Sequence, residues 1–116
     1  MKQEGRTRES KVKTYAYVSA RAAIFAVLRL QPGYGFEIMK RCSALTGGAF
    51  VPHQGNLYPE LRNMKTEGLI KIKKEIVPKG GGRTRVVYQL TAKGAGESKR
   101  LRHTIGGLFG LGAKSS

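Results

Sequence analysis

Aspartate is absent from this chain, and seven glutamates are its only acidic residues, against 22 lysines and arginines. Tryptophan is absent as well, and cysteine occurs once, at position 42. These shortages exclude several classes of protein. A single cysteine cannot form an internal disulfide, and its presence fits a reducing compartment. With His53 and His103 far apart in the sequence, one cysteine and no aspartate, no plausible zinc site can be assembled. Ser10, Ser19, Ser43 and Ser98 have no paired base in any recognisable motif, and Gly33-x-Gly35 lacks the remaining glycines and the lysine of a phosphate loop. No catalytic constellation and no cofactor are therefore expected. The longest apolar run, from Ala22 to Leu28, is far below the roughly 20 residues of a membrane span. The first 14 residues are almost all polar, unlike a secretory leader. The expectation is a cytoplasmic protein that is not an enzyme and does not enter a membrane.

The shortage of acid leaves a formal net charge of +15 on 116 residues, enough for one ordinary domain. Self-repulsion of this size is relieved by a polyanion, so double-stranded nucleic acid is the leading partner, ahead of an anionic membrane surface. The charge is not uniform. Residues 1–13 form a polar arm carrying Lys2, Arg6, Arg8, Lys11 and Lys13, expected to follow a phosphate backbone without reading sequence. Residues 14–103 read as one domain, and the glycine-rich segment 104–116 reads as a tail without fixed helix.

Within the domain, Tyr17, Ala20, Ile24, Val27 and Leu28 recur at helical spacing, and Ala22, Phe25 and Ala26 extend the apolar surface around the helix. Such a helix is expected to pack against more than one partner, including a second subunit. Pro32-Gly33 ends it. A second helix over residues 36–45 carries Ile38, Cys42 and Leu45 on its inner stripe, with Glu37, Lys40 and Arg41 outward. Cys42 on that stripe reads as a small core residue. Asn56 is the expected N-cap of a third helix, with Pro59 tolerated in its first turn, Leu57, Leu61 and Met64 buried and Gly68 as the stop. Lys71–Val77 and Arg85–Leu90 read as two strands, with Ile70, Ile72, Val86 and Tyr88 suggesting the alternation. The turn PKGGGRT joins them. Thr91 caps a short last helix over 92–103, where Ala95 and Leu101 are the inward candidates. The fold class is mainly α with a small β-hairpin: a winged helix-turn-helix of three helices, a two-stranded wing and a short C-terminal helix.

This layout assigns chemistry. With Leu57, Leu61 and Met64 inward, the 100° step of a helix turns Asn56, Arg62 and Asn63 toward the opposite or flanking surface. Asn pairs bidentately with adenine and Arg with guanine in the major groove, so Arg62 and Asn63 are the leading base readers. Gln54, at the helix entrance, is a further reader, and Lys65 is a phosphate contact. Tyr58 either donates its hydroxyl to a phosphate or serves packing alone. Lys79, Arg83 and Arg85 bracket three glycines at the wing tip, where cations suit phosphates or a narrow minor groove.

Pro32 with Tyr34-Gly35-Phe36, then Gly48-Ala49-Phe50 and Pro52, Gly55-Asn56-Leu57-Tyr58-Pro59-Glu60-Leu61, Gly68-Leu69-Ile70 and Tyr88-Gln89-Leu90-Thr91-Ala92-Lys93-Gly94 follow one another in order. Together they resemble the PadR-like family of winged-helix transcriptional regulators, over about residues 20–94. The resemblance implies a homodimer that binds operator DNA, with repression the expected outcome. Two departures stand out. Tyr34 and Phe36 replace the family's usual His and Tyr, and its long C-terminal dimerisation helix is expected to be short or missing here. The second departure argues against a small-molecule effector and moves dimerisation to the first helix with residues 14–20. The alternative reading is an architectural, nucleoid-type protein that coats DNA with little sequence preference. A module docking through the LFGLG tail is a third.

Overall fold

The computed structural model describes residues 19–110, in which three helices and the second strand of a two-stranded ribbon pack on one central helix. That helix, α1 (Ala20–Leu28), begins where the Ser19 hydroxyl accepts the Ala22 N–H at 3.0 Å. Ala23, Ile24, Phe25, Val27 and Leu28 are all buried, and α1 touches every other helix and the second strand. Its packing against several elements is as the sequence implied, but Ala22 is half-buried and Ala26 exposed. Tyr15, Tyr17 and the whole basic arm lie outside the described residues.

Helix α2 (Gly35–Leu45) follows a turn held by its own side chains. Glu37 Oε1 accepts the Tyr34 N–H at 3.2 Å, and Arg41 donates to the carbonyls of Pro32 and Gln31 at 2.8 and 3.3 Å. Glu37 and Arg41 are therefore half-buried lashings of the α1–α2 turn, not outward charges. Ile38 and Cys42 are buried as expected, but Leu45 is 58% exposed.

Helix α3 (Gln54–Thr66) starts earlier than expected. Its N-cap is His53, whose Nδ1 accepts the Gly55 N–H at 2.9 Å, and not Asn56, which lies inside the first turn. Pro59 consequently sits in the helix interior, where it has no N–H to give the Gly55 carbonyl. Leu57, Leu61 and Met64 are buried, and Gly68 adopts φ 81° as the left-handed stop.

Strands β1 (Ile70–Ile76) and β2 (Arg85–Leu90) pair antiparallel, Ile70 opposite Leu90 and Ile72 opposite Tyr88. The next pair is Lys74 with Val87, so Lys73 is the extra residue of a bulge. Beyond it the β1 side chains have changed face; Ile72, before the bulge, and Ile76, after it, are both exposed. On β2, Val87 and not Val86 is buried. Gly33 adds a third pass beside the ribbon, exchanging both backbone hydrogen bonds with Tyr88 (3.1 and 2.9 Å).

Helix α4 (Ala92–Leu108) is capped by Thr91, as expected, but runs well past residue 103 and through Gly106-Gly107. It is not the short helix expected from its composition. Once the Thr91 cap has set the first turn, each added residue gains one hydrogen bond, and Leu101, Ile105 and Gly106 line the face shared with α1. Ala95 is exposed, whereas Gly94 and Ser98 are buried. Gly94 is a close approach: a Cβ there would lie 1.8 Å from the Leu69 carbonyl oxygen. Among the described residues no helix is long and apolar enough to cross a membrane.

Candidate nucleic-acid interface

The periodicity that buries Leu57, Leu61 and Met64 leaves the rest of α3 in solvent. Gln54, Asn56, Tyr58, Arg62, Asn63 and Lys65 are all exposed, so each residue singled out on this helix is available to a ligand. They are not equivalent. Asn63 Nδ2 donates to Glu60 Oε1 at 3.3 Å. The Tyr58 ring lies against the start of α2, where a Cβ on Gly35 would come within 2.5 Å of it, yet 41% of Tyr58 remains exposed. Tyr58 thus has a packing role and keeps a face in solvent.

The helix is held from below by a cation that composition gave no reason to single out. Arg21, on α1, donates its Nε to Glu60 Oε2 and forks onto Glu67, at 3.0 Å from Nη1 and 2.6 Å from Nη2. Hydrogen bonds from Glu67 and Glu60 raise the Arg21 pKa further above its ordinary value, and the same contact with Arg21 lowers that of Glu67. Glu60 and the C-cap Glu67 lie two helical turns apart, so one guanidinium fixes the C-terminal half of α3. Neither glutamate is a free surface charge.

Beside α3 stands the ribbon. Lys79, Arg83 and Arg85 are exposed, with Gly81 and Gly82 in positive φ at the tip. Arg85 differs from the other two, because its guanidinium sits 5.2 Å above the Tyr34 ring at the entrance to α2. Burial pushes the Tyr88 hydroxyl above its usual pKa, while the Arg62 charge opposes the shift and Tyr58 adds to it. Arg62 of α3 and Tyr88 of the ribbon are therefore within electrostatic reach of one another. The structure brings α3, the α2 entrance and the base of the ribbon into one aromatic and basic surface. Arg6, Arg8, Lys11 and Lys13 lie outside the described residues.

A helix with a buried apolar stripe and an open polar face, followed by a basic ribbon, is a winged helix-turn-helix. A model described as the transcriptional regulator PadR-like family matches residues 24–100. The chain belongs to the PadR-like family of transcriptional regulators. Solved structures agree in fold. Pex from Synechococcus is 27% identical, with a TM-score of 0.58 over 71% of this chain and 71% of that one. Bacillus subtilis PadR, crystallised with operator DNA, is 23% identical with a TM-score of 0.61; 70% of this chain and 45% of that chain are covered. A PadR-like transcription factor from Bacteroides fragilis is 20% identical with a TM-score of 0.64 over 97% and 99% of the two chains. A comparison with curated proteins gave no match.

In this PadR-like chain a second feature lies on the side of α1 shared with α2 and α4. It is an apolar groove of about 660 Å3 lined by Phe25, Ala26, Cys42, Leu45, Leu101 and Ile105, among others. Burial pushes the Cys42 thiol up to about 11, consistent with a core residue and opposed to a reactive one. Ser98 Oγ lines the groove without a hydrogen-bond partner among the described residues.

Three participants escaped the sequence reading. His53 is not among the usual capping residues. Tyr34 reads only as an aromatic substitution in a motif. Arg21 is the one cation in an otherwise apolar helix, and that isolation is the signal that could have found it.

Proposed function

We propose that this PadR-like chain is a sequence-specific DNA-binding regulator that works in the cytoplasm as a homodimer and represses by occluding a promoter. The observation that carries this reading is the open face of α3. Arg62, Asn63, Asn56, Gln54 and Lys65 are solvent-exposed on a helix clamped to the core by Arg21, beside a ribbon whose Lys79 and Arg83 stand free of the ion pairs found among the described residues. In this reading Arg62 and Asn63 meet base edges and Gln54 and Asn56 enter first. Tyr58 and Lys65 contact phosphates, and Lys79, Arg83 and Arg85 flank the groove as a wing. Arg6, Arg8, Lys11 and Lys13 track the backbone. The operator complex of Bacillus subtilis PadR supports the choice of DNA as partner.

The groove and the end of α4 support dimerisation. Leu45, Ile105, Leu108 and Phe109 are 58%, 40%, 78% and 74% exposed, a density of apolar surface that a second copy would cover. A two-fold dimer sets two α3 helices about one helical turn apart, roughly 34 Å, on a palindromic site.

Selection of duplexes from a random DNA library in about 150 mM salt, which suppresses purely electrostatic binding, tests the reading. An enriched palindrome, preferred by roughly 10³-fold or more over bulk DNA, is the expected result. Transcription in vitro from a promoter carrying that palindrome then measures repression. Tight binding at low salt with no enriched sequence would identify an architectural DNA-coating protein instead.

A further inference from the structure

We infer that Asn63 reads adenine, and that Glu60, held by Arg21, is the positioning residue that fixes this choice of base. The inference rests on the proposed entry of α3 into the major groove. A carboxamide presents a donor and an acceptor on one edge, and turning it by 180° exchanges them, so an unconstrained Asn has two faces to offer. Here one Nδ2 hydrogen is directed to Glu60 Oε1 at 3.3 Å. The flipped amide would set Oδ1 against a carboxylate oxygen, two acceptors face to face, which is repulsive. The orientation is therefore single. The second Nδ2 hydrogen and Oδ1 remain available together, one donor beside one acceptor. In the major groove adenine offers the complementary pair, acceptor N7 and donor N6–H, and A·T and T·A pairs present it in opposite order, so a single amide orientation accepts adenine on one strand only.

Glu60 can impose this only if it is held still. Its other oxygen, Oε2, accepts the Arg21 Nε–H, and Arg21 is anchored in turn on Glu67 at 2.6 Å. The guanidinium also offsets a carboxylate that would otherwise lie close to DNA phosphates. Arg62 needs no such device, since every hydrogen of a guanidinium is a donor.

The test is the random-library selection repeated with Asn63→Ala, Glu60→Gln and Glu67→Gln. Asn63→Ala identifies the operator position that Asn63 contacts. At that position the wild-type protein is expected to enrich adenine over thymine about ten-fold or more. Glu60→Gln keeps the side-chain shape but can accept or donate, so either orientation of Asn63 is satisfied, and the ratio should fall below about three-fold. Glu67→Gln loosens the same clamp without touching Asn63 and should leave the ratio unchanged. The inference is overturned if Glu60→Gln retains the ten-fold ratio, if the position favours a base other than adenine, or if Glu67→Gln erases the preference equally. An absence of any enriched duplex with the wild-type protein would instead remove the proposed function, and this inference with it.

Discussion

Replacing Gly94 by alanine should be among the most damaging single-methyl changes this fold can receive. The new Cβ would lie 1.8 Å from the Leu69 carbonyl oxygen and 2.8 Å from its carbon, both backbone atoms that cannot rotate aside. The start of α4 must retreat by more than 1 Å, and three hydrogen bonds sit at that seam. Thr91 N–H donates to Leu69 O at 3.1 Å, the Thr91 hydroxyl to Gly68 O at 2.5 Å, and Gly94 N–H to Thr91 Oγ1 at 3.0 Å. Overpacking against an unyielding neighbour costs about 3 kcal/mol, and weakening one or two hydrogen bonds adds about 1–2 kcal/mol. The higher helix propensity of alanine returns at most about 1 kcal/mol. The net loss is about 3–4 kcal/mol, which for a domain of this size lowers Tm by roughly 12–25 °C. Gly96, two residues on in the same helix, has nothing within 4 Å of its would-be Cβ. Gly96→Ala should therefore leave Tm unchanged or raise it by a few degrees. Thermal and urea unfolding of the two variants, followed by circular dichroism, makes the comparison. Equal stabilities would refute the close approach between α4 and Leu69.

Gly35→Ala should displace the Tyr58 ring, which is free to swing into solvent, so DNA affinity should fall while thermal stability changes little; unchanged affinity would show that the placement of Tyr58 is immaterial to binding. Arg62→Ala should weaken binding to the selected site by about 1–3 kcal/mol and relax one base position, whereas equal loss on every sequence would reassign Arg62 to the backbone. Arg83→Ala, by contrast, should weaken binding to all sequences and reduce the salt slope by about one, and an unchanged slope in a titration against salt would remove the wing tip from the interface. Because burial raises the Cys42 thiol from its ordinary value near 9 to about 11, the fold favours the protonated form. Stability supported by that thiol is complete below pH 9 and is lost as pH rises toward 11, so urea midpoints measured across this interval should fall more for the wild type than for Cys42→Ala.

Most of what the sequence revealed and what it hid divides along one physical line. Features carried by local periodicity were legible: the buried Leu57, Leu61 and Met64, the paired strands and the Thr91 cap all follow from spacing and residue type within one or two turns. Features created by contact between distant segments were not. Arg21 meets Glu60 and Glu67 across separations of 39 and 46 residues, and no window along the chain contains both partners. Gly33 joins Tyr88 across a similar gap. The bulge at Lys73 depends on the opposite strand, so the burial of Val87 in place of Val86 could not be read from alternation alone. The start of α3 was missed for a local reason, because His53 caps through a ring nitrogen whose lone pair is available only when that nitrogen carries no proton. The length of α4 was missed because glycines at 106 and 107 lower intrinsic propensity, yet the helix continues through both to Leu108.

The scarcity of acid acquires a structural meaning once the ion pairs are known. Four of the five glutamates between residues 19 and 110 are engaged: Glu37 with Arg41, Glu60 and Glu67 with Arg21, and Glu97 with Arg100. Three of these carboxylates fasten elements together, since Glu37 lashes the α1–α2 turn and the pair on Arg21 holds α3 to α1. The arginines they engage are accordingly not those of the proposed interface. Arg62, Lys65, Lys71, Lys73, Lys74, Lys79 and Arg83 are exposed and outside every ion pair found among the described residues. Exposed cations concentrated on α3 and the ribbon repel one another, and a phosphate backbone relieves that repulsion with release of its counterions. The same division predicts opposite responses to salt. The Arg21 clamp is held at contact distance, with Glu60 part-buried and Glu67 exposed, and is screened less than the longer-range field of α3 and the ribbon. Raising salt should thus release DNA well before it loosens α3 from the core.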